Sequence, residues 1–151
     1  MKHHYIPMPP RQRGAATVEF ALVAAVGGLF IVLIGVLELG RAMFVLNTAA
    51  EATRLGARIA IVCDANAQSI KSGMTNMLTL LKPENIAIDY APQGCASSAD
   101  SARNSCQSVS VSILPGVKID MVIPFLPLSF ELPAFTTNLS REAMNSTACA
   151  K

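Results

Sequence analysis

Hydrophobic positions are distributed along this chain in three regimes. From Phe20 to Leu37 the sequence FALVAAVGGLFIVLIGVL runs for eighteen residues without a charge. As a helix it is about 27 Å long, close to the thickness of a hydrocarbon core, which predicts one membrane span. Gly27, Gly28 and Gly35 fall inside it, a composition tolerated in membrane helices because small residues allow close packing. Beyond the run, Leu39, Met43, Leu46, Ala50, Thr53, Ala57 and Ala60 recur at spacings of three and four, a helical stripe that carries the helix on to about Val62. Ala42, Ala49, Ala52 and Gly56 keep the other faces of that helix narrow enough for a second helix or a sheet to approach.

After Cys63 the pattern shortens. Asp64 and Asn66 stand as caps before a helix predicted over about Ala67 to Leu81, bounded by Lys82 and Pro83. Ile86, Ile88 and Tyr90 then alternate with smaller or polar residues, as do Val109, Val111 and Ile113 with serines. Period two with a Gly-, Ser- and Asn-rich connection predicts an antiparallel hairpin packed on the long helix. Between Ile119 and Phe135 the chain is apolar but broken by Pro124, Pro127 and Pro133, which suits edge strands or an extended arm better than a second span. Leu128, Phe130 and Leu132 alternate there with Ser129 and Glu131, and a last strand over about Thr136 to Met144 is expected to return beside the sheet. The arm has two readings: it covers the core, or it docks another subunit.

Composition supports one span plus one small domain, since 52% hydrophobic residues with 15% charged is apolar for a soluble domain and thin for several spans. The formal charge of +2 is too small to argue for nucleic acid. Lys2, Arg11 and Arg13 carry +3 of it, leaving nine basic against ten acidic residues in the remainder. Arg11 and Arg13 precede the run and Arg41 follows it, which sets the N-terminus in the cytoplasm. Cys63, Cys95, Cys106 and Cys149 all fall beyond the run without CxxC spacing, as expected for disulfides in an oxidising compartment rather than a metal cluster. Cys95 with Cys106 and Cys63 with Cys149 is the expected pairing, although the sequence leaves the two other connectivities open. Free thiols in a cytoplasmic domain are the competing reading.

Catalytic chemistry finds little material. Both histidines, His3 and His4, precede the run in the basic N-terminal segment, so a product lacking that segment has no imidazole for a triad, proton relay or usual zinc site. No phosphate-binding loop, nucleophile elbow or metal-ligand spacing occurs, and Asp64, Glu84, Asp89, Asp100, Asp120, Glu131 and Glu142 form no recognisable pair. We therefore expect no enzyme, no cofactor and no metal.

The junction ahead of the run reads RQRGAATVEFALVAA: basic residues, Gly14, Ala15, then Glu19 and Phe20. An ordinary secretory signal peptide shares the basic-then-apolar order, but the length of the run and the acid at its head argue against one. A carboxylate entering a membrane helix loses hydration, at about 2.5–3.5 kcal/mol for charged residues at central positions, so Glu19 needs a partner or a purpose. Its place in the first turns of the helix brings partial relief from the dipole. The alternative is that it marks the interfacial end of the span against headgroups.

A second constellation follows in ELGRAMFVLNTAAEATRLGARIAIV: Glu38, Gly40, Arg41, Asn47, Arg54, Gly56, Ala57 and Arg58. Glu51 and Arg54 are spaced to pair, and Arg54 with Arg58 forms a basic strip that reads as solvated surface. Together the two stretches resemble the TadE-like minor pseudopilins of the tight-adherence (Flp/Tad) type IV pilus, with Thr53 and Leu55 where that family tends to have Ala and Glu.

The resemblance implies an α+β, type IV pilin-like fold: a long N-terminal transmembrane helix continuing into a small periplasmic domain with a short helix and an antiparallel sheet of about three strands. It divides the chain into a basic prepilin-type leader (1–14), a transmembrane and amphipathic spine helix (15–62) and a disulfide-stabilised periplasmic domain (63–151). It also implies cleavage by a prepilin peptidase after Gly14, where a residue lacking Cβ lets the backbone enter a tight cleft. The new α-ammonium of Ala15 would then pair with Glu19 of a neighbouring subunit and set axial register. The implied role is a minor pseudopilin contributing to pilus biogenesis and surface adhesion. Its partners would be the prepilin peptidase, the inner-membrane assembly platform, other minor pseudopilins and the major Flp pilin. The implied location is the bacterial inner membrane, single-pass, with entry into an extracellular pilus as a further outcome. An uncleaved single-span periplasmic binding module is the alternative.

Overall fold

A computed structural model describes residues 13–122, 127–145, 147 and 149. The first twelve residues, including Arg11 and both histidines, lie outside the described residues, as does Pro124 of the proline-broken arm.

One uninterrupted helix, α1, runs over Arg13–Val62, and two compact units share it, one ending at Leu37 and the other beginning at Glu38. Within the first unit the helix is apolar on every side. Phe20 is 75% exposed, and the most apolar stretch of α1 buries nothing inside the chain. A helix hydrophobic all round and unpartnered in its own chain is built for a hydrocarbon environment, and this one is long and apolar enough to cross a membrane.

In the second unit α1 carries the core on its small residues. Ala49, Ala52, Ala57 and Ala60 are fully buried, whereas Leu39 and Met43 are exposed. The packing face therefore keeps the C-terminal part of the expected stripe, with Thr53, Ala57 and Ala60 buried and Leu46 and Ala50 half-buried, and adds the small residues Ala49, Ala52 and Gly56 beside it. Helix α2, Gln68–Met77, lays Ile70 and Met74 against it. Here Gly56 and Gly73 matter: a Cβ at Gly56 would stand 2.4 Å from Met74 Sδ, and one at Gly73 would stand 2.8 Å from Ile59 Cδ1. Helix α2 ends at Met77, four residues short of the expected limit, with Leu78 extended. Leu78 and Leu81 are nevertheless buried, so they reach the core from non-helical backbone.

A 3-10 turn at Pro83–Asn85 leads into β1, Ile86–Ala91. It pairs antiparallel with β2, Ser108–Ile113, from Ile86 opposite Ile113 to Ala91 opposite Ser108. Strand β5, Thr136–Ser140, covers the other edge of β2 antiparallel, giving the order β1-β2-β5. The alternation in β2 resolves as expected, with Val109, Val111 and Ile113 buried and the serines between them partly exposed. The chain thus has the expected α+β class: a long N-terminal apolar helix, then a small domain with a short helix and a three-stranded antiparallel sheet.

Two elements were not anticipated as such. A seven-residue helix, α3, Ala99–Ser105, sits in the β1–β2 connection, and a second antiparallel pair joins β3, Lys118–Asp120, to β4, Ser129–Glu131. That pair realises the strand option for the arm and buries Ile119 and Leu132.

The disulfides are Cys63 to Cys149, with Cα atoms 5.4 Å apart, and Cys95 to Cys106, at 5.1 Å. The C-terminal segment also finishes α1. Backbone N–H groups of Met144 and Asn145 donate to the carbonyls of Ile61 and Val62 at 3.1 and 2.6 Å, satisfying acceptors that a helix end leaves open.

Candidate functional site

The N-terminal constellation lies on regular helix. Gly14, Ala15, Glu19 and Phe20 are all exposed, and a Cβ at Gly14 would meet nothing within 4 Å. The hydroxyl of Thr17 donates to the Gly14 carbonyl at 2.8 Å. Glu19 lies more than one turn beyond Arg13, the first described residue of α1, where the dipole gives it little relief. Were the chain to begin at Ala15, the same residue would be the fifth of the helix. Among the described residues Glu19 forms no ion pair.

The spine motif, by contrast, is tied into the second unit. Glu38 and Arg41 pair at 2.8 Å, one turn apart on α1. Glu38 Oε2 also accepts the backbone N–H of Val122 at 3.1 Å, and Arg41 donates to the carbonyl of Asp120. The motif's acid and base therefore clamp the end of β3 to the helix. Gly56 serves the α2 and sheet contact, and Ala57 is fully buried. Gly40, Asn47 and Arg58 are exposed, and a Cβ at Gly40 would meet nothing within 4 Å. Arg54 pairs with Glu51, both more than half exposed, so the basic strip is solvated surface as its spacing indicated.

The other end of the domain is fastened by Arg103 of α3. It pairs with Asp64 at 2.7 Å, reaches Asp100 at 3.3 Å and donates to the Met144 carbonyl at 3.0 Å. The Asp64 hydrogen bond in particular raises the guanidinium pKa further. Tyr90 accepts the backbone N–H of Asn66 at 2.9 Å, and burial pushes its phenol above the ordinary value of 10.0, partly offset by that bond.

Sequence reasoning missed the partners of the motif, namely Asp120, Val122 and Met74. Nothing local signals them: the Glu38 and Arg41 bonds to the β3 end span 84 and 79 residues. A surface cavity of about 510 Å³ lies nearby, between Phe44 and Val45 of α1 and Met77 and Leu80, with Arg41 and Lys118 at its edge. Its lining mixes apolar side chains with Thr48 and Thr79, the cations Arg41 and Lys118, and Asp120.

No match was found among curated proteins or among solved structures. A family model does match, that of the TadE-like protein, over residues 14–58. Those limits enclose both constellations, from Gly14 through Glu19, Glu38, Arg41 and Gly56 to Arg58, and over that span the chain is similar to TadE-like proteins.

Proposed function

We propose that this protein is a minor pseudopilin of a tight-adherence pilus: a structural and assembly subunit, not a catalyst, that the inner membrane holds in reserve until it enters the assembly. The TadE-like match over residues 14–58 supports a place with the Tad pilus machinery. The observation that carries the finer reading is Glu19. It is an exposed carboxylate at the head of an all-round apolar helix, five residues after Gly14 and without an ion pair among the described residues. Cutting after Gly14 removes the basic leader and creates an α-ammonium on Ala15. That cation on a neighbouring subunit neutralises Glu19 and fixes the axial offset between two helices. The peptidase, the assembly platform, the major Flp pilin and fellow minor pseudopilins are the partners this reading requires, with the N-terminus cytoplasmic and the disulfide-bonded domain periplasmic.

Intact-mass analysis of protein extracted from native membranes tests it. A species beginning at Ala15 is expected, and material beginning only at Met1 overturns the assignment. The second reading, an uncleaved single-span binding module, draws on the cavity of about 510 Å³, whose size suits a small ligand. Retention of the leader is its signature in the same measurement.

A further inference from the structure

The apolar run ends at Leu37, and the first charged side chain after it, Glu38, is held in place. Its Oε2 takes the Val122 N–H at 3.1 Å while it pairs with Arg41 at 2.8 Å, and Arg41 bonds the Asp120 carbonyl. These links tie the end of β3 to Glu38 and Arg41, the first two charged residues after the run. At that end Val122 is 73% exposed, more than any other large apolar side chain among the described residues from Glu38 onward. Leu128 approaches from the other strand, its carbonyl accepting the Met121 N–H at 2.8 Å, and is itself 45% exposed.

A single exposed valine would need no explanation. Two such residues flanking the same end of the β3–β4 pair, with the Val122 backbone bonded to the residue that follows a membrane-crossing run, do. We propose that this end of the β3–β4 pair, through Val122 and Leu128, dips into the interfacial layer of the bilayer that α1 crosses and fastens the domain to lipid at a second point. The inference rests on Phe20 to Leu37 being the membrane span. Continuity with that span favours lipid over a protein occupant, because α1 goes on presenting exposed Leu39, Met43 and Phe44 immediately past the run. Apolar side chains tied to the residue that follows a span enter the headgroup boundary without disturbing the backbone pairing behind them.

The chain has no tryptophan, so single substitutions report cleanly. Full-length protein is reconstituted in phosphatidylcholine and phosphatidylglycerol vesicles whose acyl chains are brominated close to the headgroup or near the midplane. Phe30→Trp reports the span, Val122→Trp and Leu128→Trp the strand ends, and Asn138→Trp, exposed on β5, the aqueous domain. We expect Val122→Trp and Leu128→Trp to lose most of their emission to shallow bromine and little to iodide, Phe30→Trp to respond to deep bromine, and Asn138→Trp to iodide alone. If Val122→Trp and Leu128→Trp behave like Asn138→Trp while Phe30→Trp is quenched by lipid, this inference falls and the span stands. If Phe30→Trp escapes lipid quenching, both fall. Blue-shifted emission at Val122→Trp that neither bromine nor iodide quenches assigns the surface to another protein and overturns the lipid contact.

Discussion

Gly56 offers the sharpest test of how the spine helix holds its domain. At a helix position facing open space, Gly→Ala gains about 0.5–1 kcal/mol because alanine loses less backbone entropy. At Gly56 the new Cβ would stand 2.4 Å from Met74 Sδ, 2.9 Å from its Cγ and 3.2 Å from Val111 Cγ1. Met74 and Val111 are both fully buried, so neither can turn outward to make room. Overpacking a filled core costs about 1–3 kcal/mol, and subtracting the helix gain leaves a net cost for Gly56→Ala of about 0–2.5 kcal/mol, centred near 1. Urea unfolding of the full chain in detergent, followed by circular dichroism, measures this. Gly40→Ala is the control, since its Cβ meets nothing within 4 Å and the variant should gain about 0.5–1 kcal/mol. Met74→Ala alone should cost about 2–5 kcal/mol through the cavity it leaves. Combined with Gly56→Ala it should cost less than the sum by about 1 kcal/mol, because the alanine methyl occupies vacated space. A Gly56→Ala protein stabilised as Gly40→Ala is, or strict additivity in the double variant, refutes the close-packing argument.

Three further outcomes are expected. Glu19→Leu should insert into membranes normally yet fail to support piliation, as scored by electron microscopy of complemented cells; normal pili would dismiss the register role. Replacing Cys63 and Cys149 by serine should destabilise the domain more than replacing Cys95 and Cys106, because the first bridge closes 86 residues and the second 11. Loop entropy puts the two at about 4.5 and about 3 kcal/mol, and equal or reversed losses in denaturant midpoints would count against that ordering. Stability should fall in alkali. The raised Tyr90 phenol stays protonated in the fold while the unfolded chain ionises near 10.0, so unfolding releases a proton and is favoured as pH climbs from there through the folded value. Tyr90→Phe should flatten that part of the profile in unfolding titrations, and an unchanged slope would place the effect elsewhere.

Strong periodicity made much of the fold legible. The charge-free run and the serine-valine alternation of β2 each have one good structural solution, and the pairing expected of Cys95 with Cys106 is the one observed. Helix α3 was missed because Ala-Asp-Ser-Ala-Arg-Asn-Ser has no apolar stripe. Its signal was at the ends: Ser98 accepts the Ser101 N–H, Asp100 stands in the first turn and Arg103 in the last. On α1 only the first members of the expected stripe, Leu39 and Met43, stay exposed, while the contact with Met74 selects Gly56 and the alanines around it, the narrow positions the sequence marks for close approach. Within the candidate site, the motif residues Glu38 and Arg41 could be named from the sequence. Their purpose could not, since their partners are backbone groups of the β3 end, and backbone groups carry no residue signature.

The bridge between Cys63 and Cys149 has a mechanical consequence. Cys63 directly follows the last residue of α1, so the bond welds the tail of the chain to the foot of the helix. A pull transmitted along that helix and resisted at Cys149 travels through sulfur and leaves the strands between them slack. Under traction along that helix, the domain would yield by sliding whole rather than by unravelling.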